Sequence, residues 1–435
     1  MNEHDSSIIE NILKKTNLYI ITKKPEISDI LILNTCSIRE KAQEKLFHQL
    51  GRWKKLKQKN SKILIAVGGC VAVQEGKKIY KRAKFIDIIF GPQTLHKLPK
   101  LLIESNKKKS LIINIKKKSL KKFNYTINKN TNIKKKFSSF VTIMEGCNKY
   151  CSFCIVPYTR GKEVSRNNKK IISEIIELSK KGVREITLLG QNVNAYKFSD
   201  TFNKKNYSFS DLLYSISEIP RIDRIRFITS HPVEFNNNII EAYKKIPKLT
   251  NFLHLPVQSG SNKILKLMKR GYTIEKYENI VNKIKKIRPK INISSDFIIG
   301  FPGETKEDFQ KTIYFISKIN FDTSYSFIYS KRPRTRASKL EDNVTMEEKK
   351  KRLYKVQQKI NQQAFQWKRR STEQIVLVEG ISKNNIQELY GRTENNRTVF
   401  FEGNPKFIGN FIKLKIISIK YNTFLKGKII SNNYF

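Results

Sequence analysis

An α/β multidomain fold with a small all-β barrel behind it follows from three observations. Continuous apolar runs alternate with helical patterns over residues 1–105, the pattern of a parallel sheet covered by helices. Six further strand–helix repeats run through residues 137–371 and predict an open, partial (β/α)6 barrel. After residue 372 the texture changes to short alternating strands, which predict a small closed barrel over 372–434. Residues 106–136 mix Lys, Asn and Ile without clear periodicity and read as a linker with room for one β-pair.

The first segment opens with a helix to about Thr16, for which Asp5 or Ser6 is the expected cap. Residues 27–33 form an apolar strand ending at Asn34-Thr35-Cys36, and a helix follows over about 38–58. Residues 63–67 form a second strand, ending at Gly68-Gly69-Cys70. A helix, a short strand over 86–90 and a helix from Thr94 complete the segment. Cys36 and Cys70 each stand just past a strand's C-terminal end, the edge where open α/β sheets gather ligands. Each reads either as a small buried hydrophobe or as half of a shared metal site.

In the second segment a strand at 140–144 leads into Glu145-Gly146-Cys147-Asn148-Lys149-Tyr150-Cys151-Ser152-Phe153-Cys154. Strands follow at 185–189, 224–229, 252–257, 291–299 and 324–328. Their polar tails include Gly190-Gln191-Asn192, Ser230-His231-Pro232, Gln258-Ser259-Gly260-Ser261 and Gly300-Phe301-Pro302-Gly303-Glu304. Such ends suit either close backbone approach to a ligand or an ordinary βα turn. His231 and His254 read as structural. Residues 345–371 form a charged helix that leaves the barrel, and Gly391 to Arg397 make a polar loop between strands of the last segment.

Cys147, Cys151 and Cys154 carry the chemistry. Three thiolates can hold three irons of a four-iron, four-sulfur cluster and leave the fourth iron open to a small molecule. Zinc prefers paired C-x2-C units or an added His, and no His lies in this stretch. The five cysteines suit a reducing compartment, where they bind metal and do not form disulfides. The absence of a long apolar run or a signal-like start points to a cytoplasmic protein with no membrane partner. The net charge of +49 fits a nucleic-acid partner, but equally a genome rich in Lys, Asn and Ile codons.

The C-x3-C-x2-C spacing resembles the radical S-adenosylmethionine (SAM) superfamily. Longer stretches are similar to the methylthiotransferase family: residues 34–42, 47–53, 90–96, 144–166 and 391–397. That resemblance implies an N-terminal methylthiotransferase domain over 1–105, a radical SAM core over 137–371 and a TRAM domain over 372–434. The implied reaction adds a methylthio group to C2 of N6-isopentenyladenosine at position 37 of tRNA, using two SAM. Cys147, Cys151 and Cys154 would hold the SAM-cleaving [4Fe-4S] cluster, and Cys36 and Cys70 an auxiliary one. Gly190, Gln191 and Asn192 would lie near the methionine part of SAM, and Gly300 to Glu304 near its adenine. Arg392 and Arg397 would contact RNA. A flavodoxin-type electron donor and a monomeric state are expected. A C2–H bond is not acidic, so no general acid or base is assigned.

Two departures stand out. The family's third auxiliary cysteine lies in a segment whose end matches Met1-Asn2-Glu3, so a start upstream of Met1 is expected. Arg334 and Arg336 stand where relatives usually have Gly and Pro. Competing readings are a sister enzyme acting on a ribosomal-protein aspartate or on threonylcarbamoyladenosine tRNA, and an RNA-binding relic without catalysis.

Overall fold

The computed structural model describes residues 1–37, 40–108, 110–115, 123, 137–202, 204–370, 373–383, 385–420 and 424–431. The chain divides into two compact units. The first comprises Met1–Asn132, Glu145–Val164 and Ser330–Ser338; the second comprises Ile133–Met144, Ser165–Tyr329 and Lys339–Phe435.

The first unit holds a four-stranded parallel sheet: β1 (Ile30–Thr35), β2 (Leu64–Gly69), β3 (Ile88–Phe90) and β4 (Ile112–Asn114), in that order. Its strands are apolar on both faces because both are covered. Leu31, Ile65, Val67 and Ile89 join Leu46, Leu50 and Trp53 in one core cluster. Ala66, Ile88 and Phe90 join Ile9, Leu13, Leu98 and Leu102 in another. The alternation along each strand is the period of two that a pleated strand imposes. The helices on these faces include α1 (Asn2–Lys14) and α2 (Glu40–Lys59).

Two expectations change here. The first helix starts at Asn2, so Asp5 lies inside it and is buried; it caps nothing. Residues 112–114, expected in a linker, form β4. Most of the remaining stretch to 136 lies outside the described residues, as does the expected helix start at 38–39.

In the second unit the six predicted strands are all found: β5 (Ser138–Thr142), β6 (Glu185–Leu189), β7 (Arg224–Phe227), β8 (Phe252–His254), a fifth strand split into β9 (Asn292–Ser294) and β10 (Asp296–Ile299), and β11 (Tyr325–Ile328). These strands pair in parallel: β5 with β6, β6 with β7, β8 with β9, β10 with β11. A bridge between Ile225 and Leu249 links the two halves of the arc. The helix α3 (Met346–Arg370) does not leave this barrel as expected. Val356 and Ile360 are buried in the same core as Phe315 and Ile316, and Arg352 pairs with the buried Glu304 at 2.8 Å. The helix reads as charged because only one narrow stripe is apolar.

The last five strands are β12 (Glu373–Ile381), β13 (Glu388–Thr393), β14 (Thr398–Glu402), β15 (Phe411–Lys420) and β16 (Phe424–Ser431), closed in the order β12-β13-β14-β16-β15. Val376, Val378, Leu389, Val399, Phe401, Ile412, Leu414 and Leu425 fill it. This small barrel is seated on the N-terminal ends of the parallel strands. Arg224 donates to the Arg392 and Ile375 carbonyls at 3.1 and 3.2 Å, and Arg226 to the Glu394 carbonyl at 2.6 Å. Both arginines also pair with the buried Glu185, at 3.2 and 3.3 Å. Burial pushes the Glu185 carboxyl up, but Arg226 and Arg224 outweigh it and hold it below the usual range.

Candidate functional site

The cysteine loop is stitched across its base. Cys147 N–H donates to the Gly161 carbonyl at 3.1 Å, Asn148 N–H to Glu163 Oε1 at 3.1 Å, and Glu163 N–H returns to Asn148 Oδ1 at 3.1 Å. Gly146 is required there: its φ is +84°, and a Cβ would stand 2.1 Å from the Lys162 carbonyl oxygen. Within the loop, Cys154 N–H donates to the Cys151 carbonyl at 3.0 Å, and the Ser152 carbonyl accepts from Ala337 N–H at 2.8 Å. Cys151 is buried; Cys147 and Cys154 are half-buried.

The donor set suits a positive, thiophilic group. Burial above all, with the Cys151 and Glu163 charges adding, pushes the Cys147 thiol up to about 11. Bound iron would offset that penalty by stabilising thiolate. Among the described residues no three Cys, His, Asp or Glu side chains converge to chelate one ion. A four-iron cluster presents separate corners, so its thiolates need no common centre.

Cys36 and Cys70 are brought together by register. Thr35 is paired with Gly69 on adjacent parallel strands, so the next residues, the two cysteines, leave neighbouring strand ends. Gly69 has φ +94°, and a Cβ there would be 2.2 Å from the Thr35 carbonyl oxygen. The pair supplies two thiols, fewer than a four-iron cluster requires on its own.

Sequence reasoning missed the residue that joins these two cysteine groups. Arg160 is buried, pairs with Glu145 at 3.2 Å and with Asp5 on α1, and its charge opposes the rise that burial imposes on the Cys70 thiol. Its own carbonyl accepts from Gln93 Nε2 at 2.6 Å. Burial pulls the guanidinium down, but Cys70, Asp5 and Glu145 outweigh it and hold it charged. One Arg among 86 basic residues carries no signal in the sequence.

Gly190, Gln191 and Asn192 follow β6, and Gly300 follows β10, at the C-terminal edge of the second unit's strands. Gly190 is needed for packing, since a Cβ would meet Met144 Cγ at 2.6 Å, and its carbonyl accepts from Thr229 at 2.6 Å. Glu304 is buried, and its carboxylate is taken by Arg352 and by Gly300 N–H at 3.1 Å. It shapes this loop from within. His231 and His254 are inward, with His231 accepting from Val233 N–H at 3.3 Å and His254 beside Ser294 at 3.3 Å.

The two arginines expected to touch RNA are placed differently from each other. Arg397 is buried and paired with Asp322, which also accepts from Asn395 at 3.3 Å. Its side chain anchors the loop and does not face solvent. Arg392 is partly exposed beside Glu379 at 3.2 Å. On neighbouring strands Tyr390, Phe400 and Phe424 form a ring series with centroids 6.5 and 6.0 Å apart.

Arg334 sits at φ +66°, a conformation glycine adopts freely, and Arg336 opens a 3-10 helix (Arg336–Lys339), where proline's fixed φ is suited. Both side chains are exposed. Arg334→Gly is expected to raise stability by up to about 1 kcal/mol in chemical denaturation, because it relieves left-handed strain without removing a buried contact.

The fold and the three-cysteine loop together define a radical SAM protein. Residues 141–316 match the Radical SAM superfamily, residues 1–91 the uncharacterized protein family UPF0004 and residues 368–430 the TRAM domain. A radical SAM methyltransferase from Kitasatospora setae shares the fold at 11% identity and a TM-score of 0.52, covering 76% of this chain and 66% of that one. The tRNA-2-methylthio-N(6)-dimethylallyladenosine synthase of Buchnera aphidicola subsp. Schizaphis graminum is 60% identical over 99% of this chain and 97% of its own length. That of Haemophilus influenzae strain PittEE is 52% identical over 99% of this chain and 90% of its own. The chain belongs to the tRNA-2-methylthio-N(6)-dimethylallyladenosine synthase family.

Proposed function

We propose that this protein adds a methylthio group to C2 of N6-isopentenyladenosine at position 37 of tRNA. The observation that carries the reading is the full-length similarity to the named synthases, together with an intact three-cysteine loop. Cys147, Cys151 and Cys154 would hold a [4Fe-4S] cluster, and Cys36 and Cys70 would contribute two thiolates to a second. The first cluster, when bound, would supply the electron for reductive SAM chemistry directed at an unactivated C–H bond. Gly190, Gln191, Asn192 and Gly300 line strand ends where SAM would approach, with Glu304 fixing the Gly300 loop. The small barrel would grip the tRNA through partly exposed cations such as Arg392 and rings such as Phe424. A flavodoxin-type donor, a monomeric state and a cytoplasmic location complete the reading. None of the described helices is long and apolar enough to cross a membrane.

Mass spectrometry of tRNA from cells lacking the protein tests it. The expected result is isopentenyladenosine without its 2-methylthio group, restored by supplying the gene. Unchanged methylthiolation would sink the reading and leave the RNA-binding relic. Loss from threonylcarbamoyladenosine instead would favour the sister enzyme.

A further inference from the structure

The solvent face of α2 carries a feature that the cysteine chemistry does not use. Leu46, Leu50 and Trp53 bury one side of this helix. On the other, Lys45, His48, Arg52, Lys55 and Lys59 are all exposed, at alternating steps of three and four residues. That spacing puts them in one stripe, about 21 Å long at the helical rise per residue. They line a shallow groove of about 760 Å³. At its middle lies Gly51, exposed, where a Cβ would meet nothing within 4 Å.

The stripe is electrostatically uncompensated. Like charges three and four apart on a helix repel by about 0.2–0.5 kcal/mol per pair. Some exposed helical cations elsewhere in this protein have acid partners: Lys108 with Glu104, Lys180 with Glu177, Lys318 with Glu278. Among the described residues none pairs with Lys45, Arg52, Lys55 or Lys59, and α2 has no acid after Glu44. Gly51 adds a cost of its own, about 0.5–1 kcal/mol relative to alanine in a helix interior, while keeping the groove floor open to close approach.

We infer that this stripe of α2 is a second tRNA-binding surface, which seats a run of phosphates of the substrate while the small barrel grips another part. The inference rests on the tRNA substrate proposed above. A row of cations with a single apolar neighbour, Leu56, fits a phosphodiester backbone, which needs charge and close approach. A docked acidic protein would want an apolar or aromatic anchor at the centre of the patch, and the groove has none.

The test measures binding of the cluster-loaded, full-length protein to tRNA purified from cells that lack it, over a series of salt concentrations. Lys55→Gln with Lys59→Gln is expected to weaken binding severalfold and to flatten the slope of log K against log salt by about 1.4–1.8. Gly51→Glu, which sets a carboxylate inside the stripe, is expected to weaken binding similarly. Gly51→Ala should bind like the unaltered protein and melt no lower, which separates charge from folding. RNA-independent SAM cleavage should be unchanged in all of them. Unaltered affinity and slope in the charge variants would overturn the inference. Unaltered affinity with slower reduction by a flavodoxin-type donor would also overturn it and make the stripe a protein-docking face. If the unaltered protein itself does not bind this tRNA, the proposed function fails and the inference with it.

Discussion

Replacing Arg160 with alanine is expected to destabilise the first unit by about 3–5 kcal/mol, the usual cost of removing one partner from a buried ion pair. Two carboxylates, Asp5 and Glu145, would be left in the interior with their shared cation gone. The Cys70 thiol would at the same time lose the positive charge that opposes the effect of its burial. Arg160→Lys keeps the charge but not the fork that reaches several groups at once, so a smaller loss is expected, about 1–3 kcal/mol. Arg160→Ala combined with Asp5→Asn should recover part of the loss, since one stranded charge is removed. Thermal and urea unfolding of all three variants, with iron content measured alongside, checks this. An alanine variant as stable as the unaltered protein would show that the guanidinium is not the keystone described here.

Cys151→Ala is expected to remove the SAM-cleaving cluster and with it about four irons per chain. Two thiolates remain in the loop, too few to retain it. The expected readout is loss of the broad visible absorbance of the cluster and no 5′-deoxyadenosine from SAM. Folding should survive, because the loop is held by Gly146, the Asn148–Glu163 pair and the Ala337–Ser152 bond, none of which uses the thiol. Full iron content in this variant would overturn the ligand assignment.

Much of this architecture was legible in the sequence because it is written in local patterns. The strands of both units are continuous apolar runs ended by Gly, Asn or Ser, and the three cysteines lie within eight residues. Cys36 and Cys70 could be matched because both follow a strand. What was not legible depends on long-range pairing. Asp5 looks like a helix cap until Arg160, 155 residues away, is placed against it. Arg397 looks like an RNA contact because it lies in a polar loop, yet Asp322 holds it inside. The helix α3 looks solvent-bound because Val356 and Ile360 are few among many lysines. Residues 112–114 are too short to announce a strand and gain that role only beside β3.

If the small barrel grips the tRNA as proposed, its seat has a consequence for the size of substrate the protein can use. Arg224, Arg226 and Glu185 fasten it beneath the N-terminal ends of the parallel strands, whereas Gly190 and Gly300 open at the other ends. The two levels differ by a strand's length, about 15 Å for four or five residues. An RNA held by the barrel must therefore span that height before any of its bases meets the upper edge. A free nucleoside or a short oligonucleotide can occupy one level or the other, and a folded RNA with stem and loop can occupy both. Once it is held below, the base presented above no longer arrives by diffusion from bulk solution but at the high effective concentration of a tethered group.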